Sequence, residues 1–337
     1  MGNKITIWPK ITIWVAARNE ENNIVECLQK LENLDYPPDQ LQILIGNDGS
    51  TDTTASLVAD FIANKPMFEL IEITETINNQ HGKANVLANL YNYSTGDYFL
   101  ITDADVSVNS QWAKGMLKNF LKNNFLGHQV GVTSIESTNF FGLLQAIDWL
   151  WALTLLKFAS MFSIPLTGLG NNSAVSRKAY EASGGYNKIP FSITEDFALF
   201  HEVVNQGFEF HNAINNKVFA KTTPMLSPKE FLHQRKRWMV GALQCPKWVV
   251  VFLYIQALFP IILLIISYLI SSNLAINLFL IKFVLQIILI LPTLIILKEF
   301  KLIPLLLPYE FYAWIWGFSM VIFYFLPFKI NWKERYY

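Results

Sequence analysis

The sequence predicts an α/β domain with a mostly parallel sheet, followed by C-terminal transmembrane helices. Up to about residue 220, short apolar runs alternate with polar segments suited to helices. Residues 248–270 then carry no charged side chain. Only 15% of the 337 residues are charged, whereas ordinary soluble domains have about 25%. Part of the chain is therefore expected to lie in lipid.

The N-terminal part alternates four strand patterns with three helix patterns. The strands are KITIWVAA, LQILIGN, FELIEIT and DYFLITDAD, and the helices are EENNIVECLQKLENL, STDTTASLVADFI and GKANVLANLYNYS. In the first helix Ile24, Leu28 and Leu31 follow helical spacing. This alternation implies a parallel sheet with helices on both faces. Ligands of such sheets bind outside the carboxyl ends of the strands, so the loops after the strands are the ones expected to carry function.

Two C-terminal segments are predicted to span a membrane. Residues 248–270 and 274–297, the second interrupted by Lys282, are long enough for a hydrocarbon core of roughly 30 Å. A third segment, 302–328, contains Pro304, Pro308 and Glu310, and either crosses or dips in and returns. We therefore divide the chain into a domain at 1–220, an interfacial segment at 221–247 and a membrane region at 248–337.

Basic residues predict which side of the membrane carries the N-terminal domain. Cations are enriched on the cytosolic side of membrane helices. Those before the first span are Lys229, Arg235, Lys236, Arg237 and Lys247. Residues 1–21 show no signal-peptide pattern. We expect a multi-pass protein of the cell (inner) membrane with a cytosolic domain. Lys329, Lys333 and Arg335 would lie outside if 302–328 crossed, which favours a re-entrant or interfacial third segment.

Residues 139–168 form another apolar stretch, which carries Asp148 and Lys157. An amphipathic helix at the membrane interface fits this pattern better than a span. A buried helix of the N-terminal domain is an equally good alternative.

Charge and cysteine content exclude some functions. Lys+Arg and Asp+Glu are both 26, so the net charge is zero, and a nucleic-acid partner is not expected. Cys27 and Cys245 lie far apart and form no metal or redox motif.

Four short motifs contain residues able to bind a ligand or carry out chemistry. Asp48 of NDGSTD follows a strand and could accept hydrogen bonds from a base or ribose, although a plain turn before a capped helix fits as well. Asp103 and Asp105 of TDADV could both address one hard cation, or form a solvated acidic turn. Asp196 of TEDFALF could deprotonate a hydroxyl, or cap its helix together with Glu195. Lys83 of HGKANVL could bind a phosphate, or be a surface lysine.

In their order along the chain, these motifs resemble the family 2 glycosyltransferases. The resemblance runs through VAARNEENNI, NDGSTD, HGKANVLAN, GDYFLITDADV, GLGNNSAVSRKAYEASGGY, TEDFALF and QRKRW, over roughly residues 11–241. It is strongest to the membrane-bound branch with ceramide glucosyltransferase and the chitin, cellulose and hyaluronan synthases. It implies the GT-A fold, a doubly wound, mostly parallel sheet with flanking helices.

The resemblance also implies a role for each matching residue. Asp48 would contact the nucleotide base, beside Asn19 and Glu20 in the bordering loop. Lys83 and Asp103 would lie near the diphosphate, and Asp103 and Asp105 would hold Mg²⁺ or Mn²⁺. Asp196 would be the general base. Gln234, Arg237 and Trp238 would line the acceptor site and hold the diphosphate. Where Asn47 stands, the family often has a second acid, which weakens the base-binding assignment slightly.

These roles imply transfer of a sugar, with inversion, from a UDP-sugar to a membrane lipid at the cytosolic face. A processive polysaccharide synthase of the same branch is the alternative, and a non-catalytic transporter or scaffold is a remote one. On a helix, Gln234, Arg237 and Trp238 share one face, whereas Arg235 and Lys236 turn away. We therefore expect Arg235 and Lys236 to face lipid headgroups. The oligomeric state stays open.

Overall fold

A computed structural model of the chain describes residues 8–329 and the backbone of 331–332 and 335–336. Lys333 and the side chain of Arg335 lie outside the described residues. Two compact units are present. The first contains the chain up to Thr133 and Ala159–Thr222, and the second contains Ser134–Phe158 and the chain from Thr223 onward. The first unit ends close to the predicted boundary at 220, but 134–158 belongs to the second unit.

The strands of the described residues form three sheets. Their bounds are β1 Ile11–Ala17, β2 Leu41–Asn47, β3 Phe68–Glu72, β4 Tyr98–Asp103, β5 Val106–Val108, β6 Leu126–Val130, β7 Val132–Ile135, β8 Asn172–Ser176, β9 Glu209–Asn212, β10 Phe219–Thr222, β11 Asn331–Trp332 and β12 Arg335–Tyr336. The large sheet has the order β3-β2-β1-β4-β8-β6-β9, and the smaller ones are β5-β10-β7 and β11-β12.

The helices alternate with these strands in the first unit and dominate the second. Their bounds are α1 Ile24–Glu32, α2 Thr54–Ile62, α3 Lys83–Tyr93, α4 Trp112–Leu117, α5 Phe140–Met161, α6 Arg177–Ser183, α7 Gly185–Lys188, α8 Glu195–Asn205, α9 Pro228–Ala242, α10 Lys247–Leu269, α11 Ser272–Ile296 and α12 Leu306–Phe325.

The mostly parallel sheet predicted from the alternation is confirmed. Strands β3, β2, β1 and β4 run parallel to one another. β8 runs antiparallel to both β4 and β6. The register pairs Ala16 with Asp103 and Ala17 with Asn47, so the carboxyl ends of β1, β2 and β4 meet at one edge.

An aromatic cluster fills the core on one side of the sheet. Trp14 stacks on Phe99 with ring centroids 4.5 Å apart, and Tyr180 meets both rings edge-on. Residues of α3, α6, α7 and α8 complete this cluster. Ile24, the first of the apolar positions expected at helical spacing in α1, is fully buried, as are Leu28 and Leu31.

Helix α5 is long and apolar enough to cross a membrane, yet the sheet excludes this. Among the described residues, four helices are long and apolar enough to cross a membrane. In α5, half of the 18-residue apolar stretch is buried. β4 and β6 precede α5, and both pair with β8, which follows it. A transmembrane α5 would place β8 on the opposite side of the bilayer from its partners. As expected for residues 139–168, α5 is therefore not a span.

The two charges that interrupt the apolar C-terminal segments pair with each other. Lys282 of α11 donates to Glu310 of α12 and, at 2.7 Å, to Gln286 Oε1. Glu310 is fully buried. An unpaired charge is costly in an apolar environment, whereas an ion pair with additional hydrogen bonds offsets much of that cost. The pair therefore holds α11 and α12 together.

Helix α9 has a well-defined start and a buried lysine. Ser227 caps it by accepting a hydrogen bond from the Glu230 backbone N–H at 3.2 Å, with Pro228 in the first turn. Lys236 Nζ donates to the carbonyl oxygens of Phe323, Leu326 and Phe328, the last two at 2.7 and 2.9 Å. These oxygens lie at or just beyond the C-terminal end of α12, where a cation is favoured.

Candidate active site

The loops after β1 and β2 interlock at the carboxyl edge of the sheet. Asn19, whose φ of 52° is left-handed, accepts the Thr51 backbone N–H at 2.8 Å. Its own N–H donates to Ser50 Oγ at 3.2 Å. The N–H of Glu20 donates to Thr54 Oγ1 at 2.8 Å. The residues assigned by resemblance to the nucleotide border, the side chain and backbone of Asn19 and the backbone of Glu20, thus fix the shape of the 48–54 loop.

Asp48 follows β2 directly and is anchored through its backbone. Its N–H donates to the Ala17 carbonyl at 2.9 Å, and Arg18 Nη1 donates to its carbonyl at 2.5 Å. Its neighbour Asn47 donates to Glu72 Oε2 at 2.7 Å and accepts the Ser50 N–H at 3.1 Å. Asn47, where the family often has an acid, therefore has a structural use between β2 and β3.

Lys83 lies at the centre of the site. It begins α3 directly after Gly82, whose φ is 57°. Its ammonium donates to Asp103 at the end of β4 and to the Gly170 carbonyl at 2.9 Å, and it lies 3.6 Å from Glu195 Oε1. Lys83 is therefore not a surface lysine, because it connects three separate segments of the chain.

Electrostatics keep Lys83 charged in this position. Burial alone would lower its pKa, but the carboxylates of Asp103, Glu195 and Asp196 outweigh burial and raise the pKa above the ordinary value of 10.5. Three carboxylates thus face one ammonium. A diphosphate entering this group would meet an excess of negative charge, so binding would require a further cation.

Asp196 and the two glycines of the 168–170 segment lie in close contact. Asp196 Oδ2 accepts the Gly170 N–H at 2.8 Å, and Oδ1 accepts the Phe197 N–H at 2.8 Å. A Cβ at Gly170 would lie 2.9 Å from Lys83 Nζ, and one at Gly168 would lie 2.9 Å from the Asp196 carbonyl. Only glycine lets this segment approach α8 so closely. The motif GLGNN contained these glycines, but spacing alone assigned them no role.

Asp103 and Asp105 bracket Ala104 between β4 and β5, and both are partly exposed. Asp105 Oδ2 accepts a hydrogen bond from Thr222 Oγ1 at 3.0 Å. Over the residues that the structure describes, no group of three or more His, Cys, Asp or Glu could hold a metal ion. Two carboxylates fit a hard cation such as Mg²⁺ or Mn²⁺ that takes its other oxygens from substrate and water.

Cys27 lies beneath this edge and is chemically inert. Its Sγ donates to the Asp103 carbonyl at 3.6 Å. Burial, followed by the charges of Asp105 and Asp103, raises the pKa of its thiol. The thiolate needed for nucleophilic attack is therefore not available.

In the second unit, Gln234, Arg237 and Trp238 lie on α9 as predicted, and Gln234 is buried. The expectation that Arg235 and Lys236 face lipid headgroups is wrong. Arg235 pairs with Asp148, and the ammonium of Lys236 is occupied by the backbone carbonyls that follow α12. Helical periodicity also misplaced Arg235, whose guanidinium lies over the Trp238 ring, and it gave no sign that α5 and α12 provide partners.

A family model described as "Glycosyl transferase family 2" matches residues 12–184, just over half of the chain. The chain belongs to glycosyltransferase family 2. The motif order predicted this family.

Curated relatives of this family 2 enzyme include lipid and polysaccharide synthases. The probable glycosyltransferase YdaM of Bacillus subtilis is 28% identical over 69% of this chain and 55% of its own length. A β-monoglucosyldiacylglycerol synthase of Synechocystis is 26% identical over 70% and 48%. A poly-β-1,6-N-acetyl-D-glucosamine synthase of Staphylococcus epidermidis is 27% identical over 56% and 44%. The family 2 chain thus spans about half the length of these relatives.

The fold of the family 2 chain is similar to that of a solved mannosyltransferase. This is PcManGT from Pyrobaculum calidifontis, in complex with GDP-mannose and Mn²⁺. The two share 20% identity with a TM-score of 0.58, over 95% of this chain and 86% of that one. The predicted GT-A fold, with C-terminal apolar helices, is therefore confirmed.

Gly170→Ala is expected to reduce sugar transfer strongly. The added Cβ would lie 2.9 Å from Lys83 Nζ, 3.2 Å from Glu195 Oε1 and 3.3 Å from Asp196 Cβ, and must displace at least one of them. Misplacing a reacting group by about 1 Å can cost on the order of 100-fold in rate, so the shift of a few tenths of an ångström needed here is expected to lower turnover by up to about tenfold. The measurement is turnover of the purified variant, with its thermal midpoint as a check on folding.

The matched control for this prediction is Gly207→Asn. A Cβ at Gly207 meets no atom within 4 Å, and its φ of +83° is a left-handed conformation that asparagine tolerates. Normal turnover of Gly170→Ala would show that the close approach of this segment is not needed.

Proposed function

We propose that the protein transfers one sugar, with inversion, from a UDP-sugar to a hydroxyl of a membrane lipid at the cytosolic face. The observation that carries this proposal is the group formed by Lys83, Asp103 and Asp196 in a family 2 enzyme. The same chain has C-terminal helices apolar enough for a bilayer. A lipid acceptor would reach such an enzyme by diffusion within the membrane.

The relatives support a lipid acceptor and provide the alternative. One is a β-monoglucosyldiacylglycerol synthase, which matches over 70% of this chain. Another is a poly-β-1,6-N-acetyl-D-glucosamine synthase, which matches over 56%. The longer match favours the lipid glycosyltransferase, and a processive polysaccharide synthase remains the second candidate.

The donor would bind along the carboxyl edge of the sheet. Asp48 would hold the nucleotide base, with Asn19 and Glu20 shaping the bordering loop. Asp103 and Asp105 would hold Mg²⁺ or Mn²⁺, which neutralises diphosphate charge when bound. Lys83 would exchange part of its contact with Asp103 for a phosphate oxygen. A metal ion is expected because the three carboxylates near Lys83 carry more negative charge than its ammonium can neutralise.

Asp196 would act as the general base of a single displacement. Two backbone N–H groups hold its carboxylate, and its remaining lone pairs can accept the acceptor's hydroxyl proton. As that proton moves to Asp196, the acceptor oxygen bonds to the anomeric carbon and the bond from that carbon to the diphosphate oxygen breaks. Lys83 would stabilise the departing UDP.

An assay with a panel of donors tests the proposed function. The detergent-purified enzyme is incubated with Mn²⁺ or Mg²⁺, membrane lipid extract and, separately, UDP-glucose, UDP-galactose, UDP-N-acetylglucosamine and GDP-mannose. Mass spectrometry of the lipids is expected to show one added sugar from one UDP donor. A ladder of long products would favour the polysaccharide synthase, and transfer only from GDP-mannose would contradict the UDP assignment.

Asp196→Asn is expected to lower turnover by about 10²- to 10⁴-fold, the usual contribution of a general base. Asparagine keeps an oxygen that can accept the Gly170 N–H, so the fold should persist. UDP release with lipid present measures the effect. Asp60→Asn, which removes an exposed carboxylate from α2, is the matched control. Full activity of Asp196→Asn would exclude it as the base.

The arrangement of α9 to α12 supports an interfacial third segment that does not cross the membrane. If α10 and α11 both cross, Lys247 and Ile296 lie on the same side, and α12 starts there too. The carbonyls after α12 accept hydrogen bonds from Lys236 of α9, the helix that leads into α10. Both ends of α12 would then lie on the cytosolic side, with exposed Lys298 and Lys301.

Lys329→Cys, in a Cys245→Ser background, is therefore expected to be labelled from the cytosolic side. A membrane-impermeant maleimide should modify it in inside-out vesicles and leave it unmodified in right-side-out vesicles. Lys229→Cys at the start of α9 is the matched control and should behave identically. Opposite labelling of the two positions would mean that α12 crosses the bilayer.

A further inference from the structure

Asp148 of α5 forms a polar contact that neither sequence motifs nor the proposed chemistry use. Its Oδ2 accepts a hydrogen bond from Arg235 Nη2 of α9, and its Oδ1 accepts one from the Tyr309 hydroxyl of α12 at 3.1 Å. The side chains of Asp148 and Arg235 are 27% and 14% exposed. Both carboxylate oxygens are thus engaged in a largely buried place, where a displaced charge is costly.

Arg235 in turn covers one face of Trp238. Its guanidinium carbon lies 4.2 Å from the Trp238 ring centroid and 4.7 Å from that of Phe231. Trp149, next to Asp148 in the chain, meets Trp238 edge-on at 5.0 Å and 86°. Trp238 itself stays partly exposed. Adjacent residues of α5 therefore fix the indole in two ways, through the guanidinium and through a ring edge.

This geometry determines the plane of the indole. A guanidinium favours a position over the face of an aromatic ring, and here Asp148 holds the guanidinium in place. Without the carboxylate, Arg235 would be free to extend toward water, because a neutral partner attracts it less strongly. Trp238 would then lose the cation that keeps its ring in one orientation.

We propose that Asp148 is a positioning residue for the acceptor. Through Arg235 it sets the orientation of Trp238, and thereby the affinity of the enzyme for the lipid that Trp238 contacts. This inference rests on the proposed function, in which Trp238 lines the acceptor site. It assigns to α5 a part in acceptor recognition and to Arg235 a role distinct from that of Arg237.

The test compares Asp148→Asn, Asp148→Glu and Trp238→Ala in the full-length enzyme. Turnover is measured in mixed micelles, with the mole fraction of an extracted acceptor lipid and the concentration of UDP-sugar varied separately. Glu230→Gln is the matched control, because it removes an exposed carboxylate from α9 without touching Asp148. Thermal midpoints check that each variant is folded.

Asp148→Asn is expected to raise the apparent KM for the lipid roughly tenfold, a change equivalent to about 1.4 kcal/mol. The KM for UDP-sugar and the slow hydrolysis of UDP-sugar without lipid should stay unchanged. Asp148→Glu should restore much of the affinity, and Trp238→Ala should raise the same KM. A purely structural role would instead change the KM values for the lipid and for UDP-sugar together, which would overturn the inference.

Two outcomes separate this inference from the proposed function. If Trp238→Ala raises the lipid KM and Asp148→Asn does not, Asp148 has no positioning role while the acceptor site stands. If neither variant changes the lipid KM, Trp238 does not contact the acceptor. The inference then fails, together with the proposed role of Trp238 in lining the acceptor site.

Discussion

The ammonium of Lys83 is the contact on which the site depends. It ties the start of α3 to the end of β4 through Asp103, to the 166–171 loop through the Gly170 carbonyl, and to α8 through Glu195. A buried cation is stable only with such partners, so the ion pairs hold these segments in place. The 166–171 loop also holds Asp196 in place, because the Asp196 carboxylate accepts a hydrogen bond from the Gly170 N–H.

The second unit uses charge in the same way. Lys282 pairs with Glu310, Arg235 pairs with Asp148, and Lys236 donates to backbone carbonyls after α12. Apolar contacts alone fix helix positions loosely in lipid, where there is no hydrophobic force between helices. Charged and polar contacts fix them specifically, because every alternative arrangement leaves a charge without a partner.

The charge balance around Lys83 also connects the fold to its chemistry. Three carboxylates and one ammonium would repel an incoming diphosphate unless a cation accompanies it. Asp103 and Asp105, at the end of β4, are suited to bind a hard cation. In the proposed function, these residues would bring the donor, the cation and the base to one edge of the sheet.

The sequence by itself determined the elements and the order of the motifs. Strand and helix patterns arise from local periodicity, so β1 to β4, α1 to α3 and the apolar segments could be predicted, as could the family. Only the tertiary structure decided which partners these side chains meet. The need for glycine at 170 and the pairing of Arg235 with Asp148 both depend on segments far apart in the chain. Helical periodicity predicts which residues share a face of a helix, whereas packing decides which residues of other segments they contact.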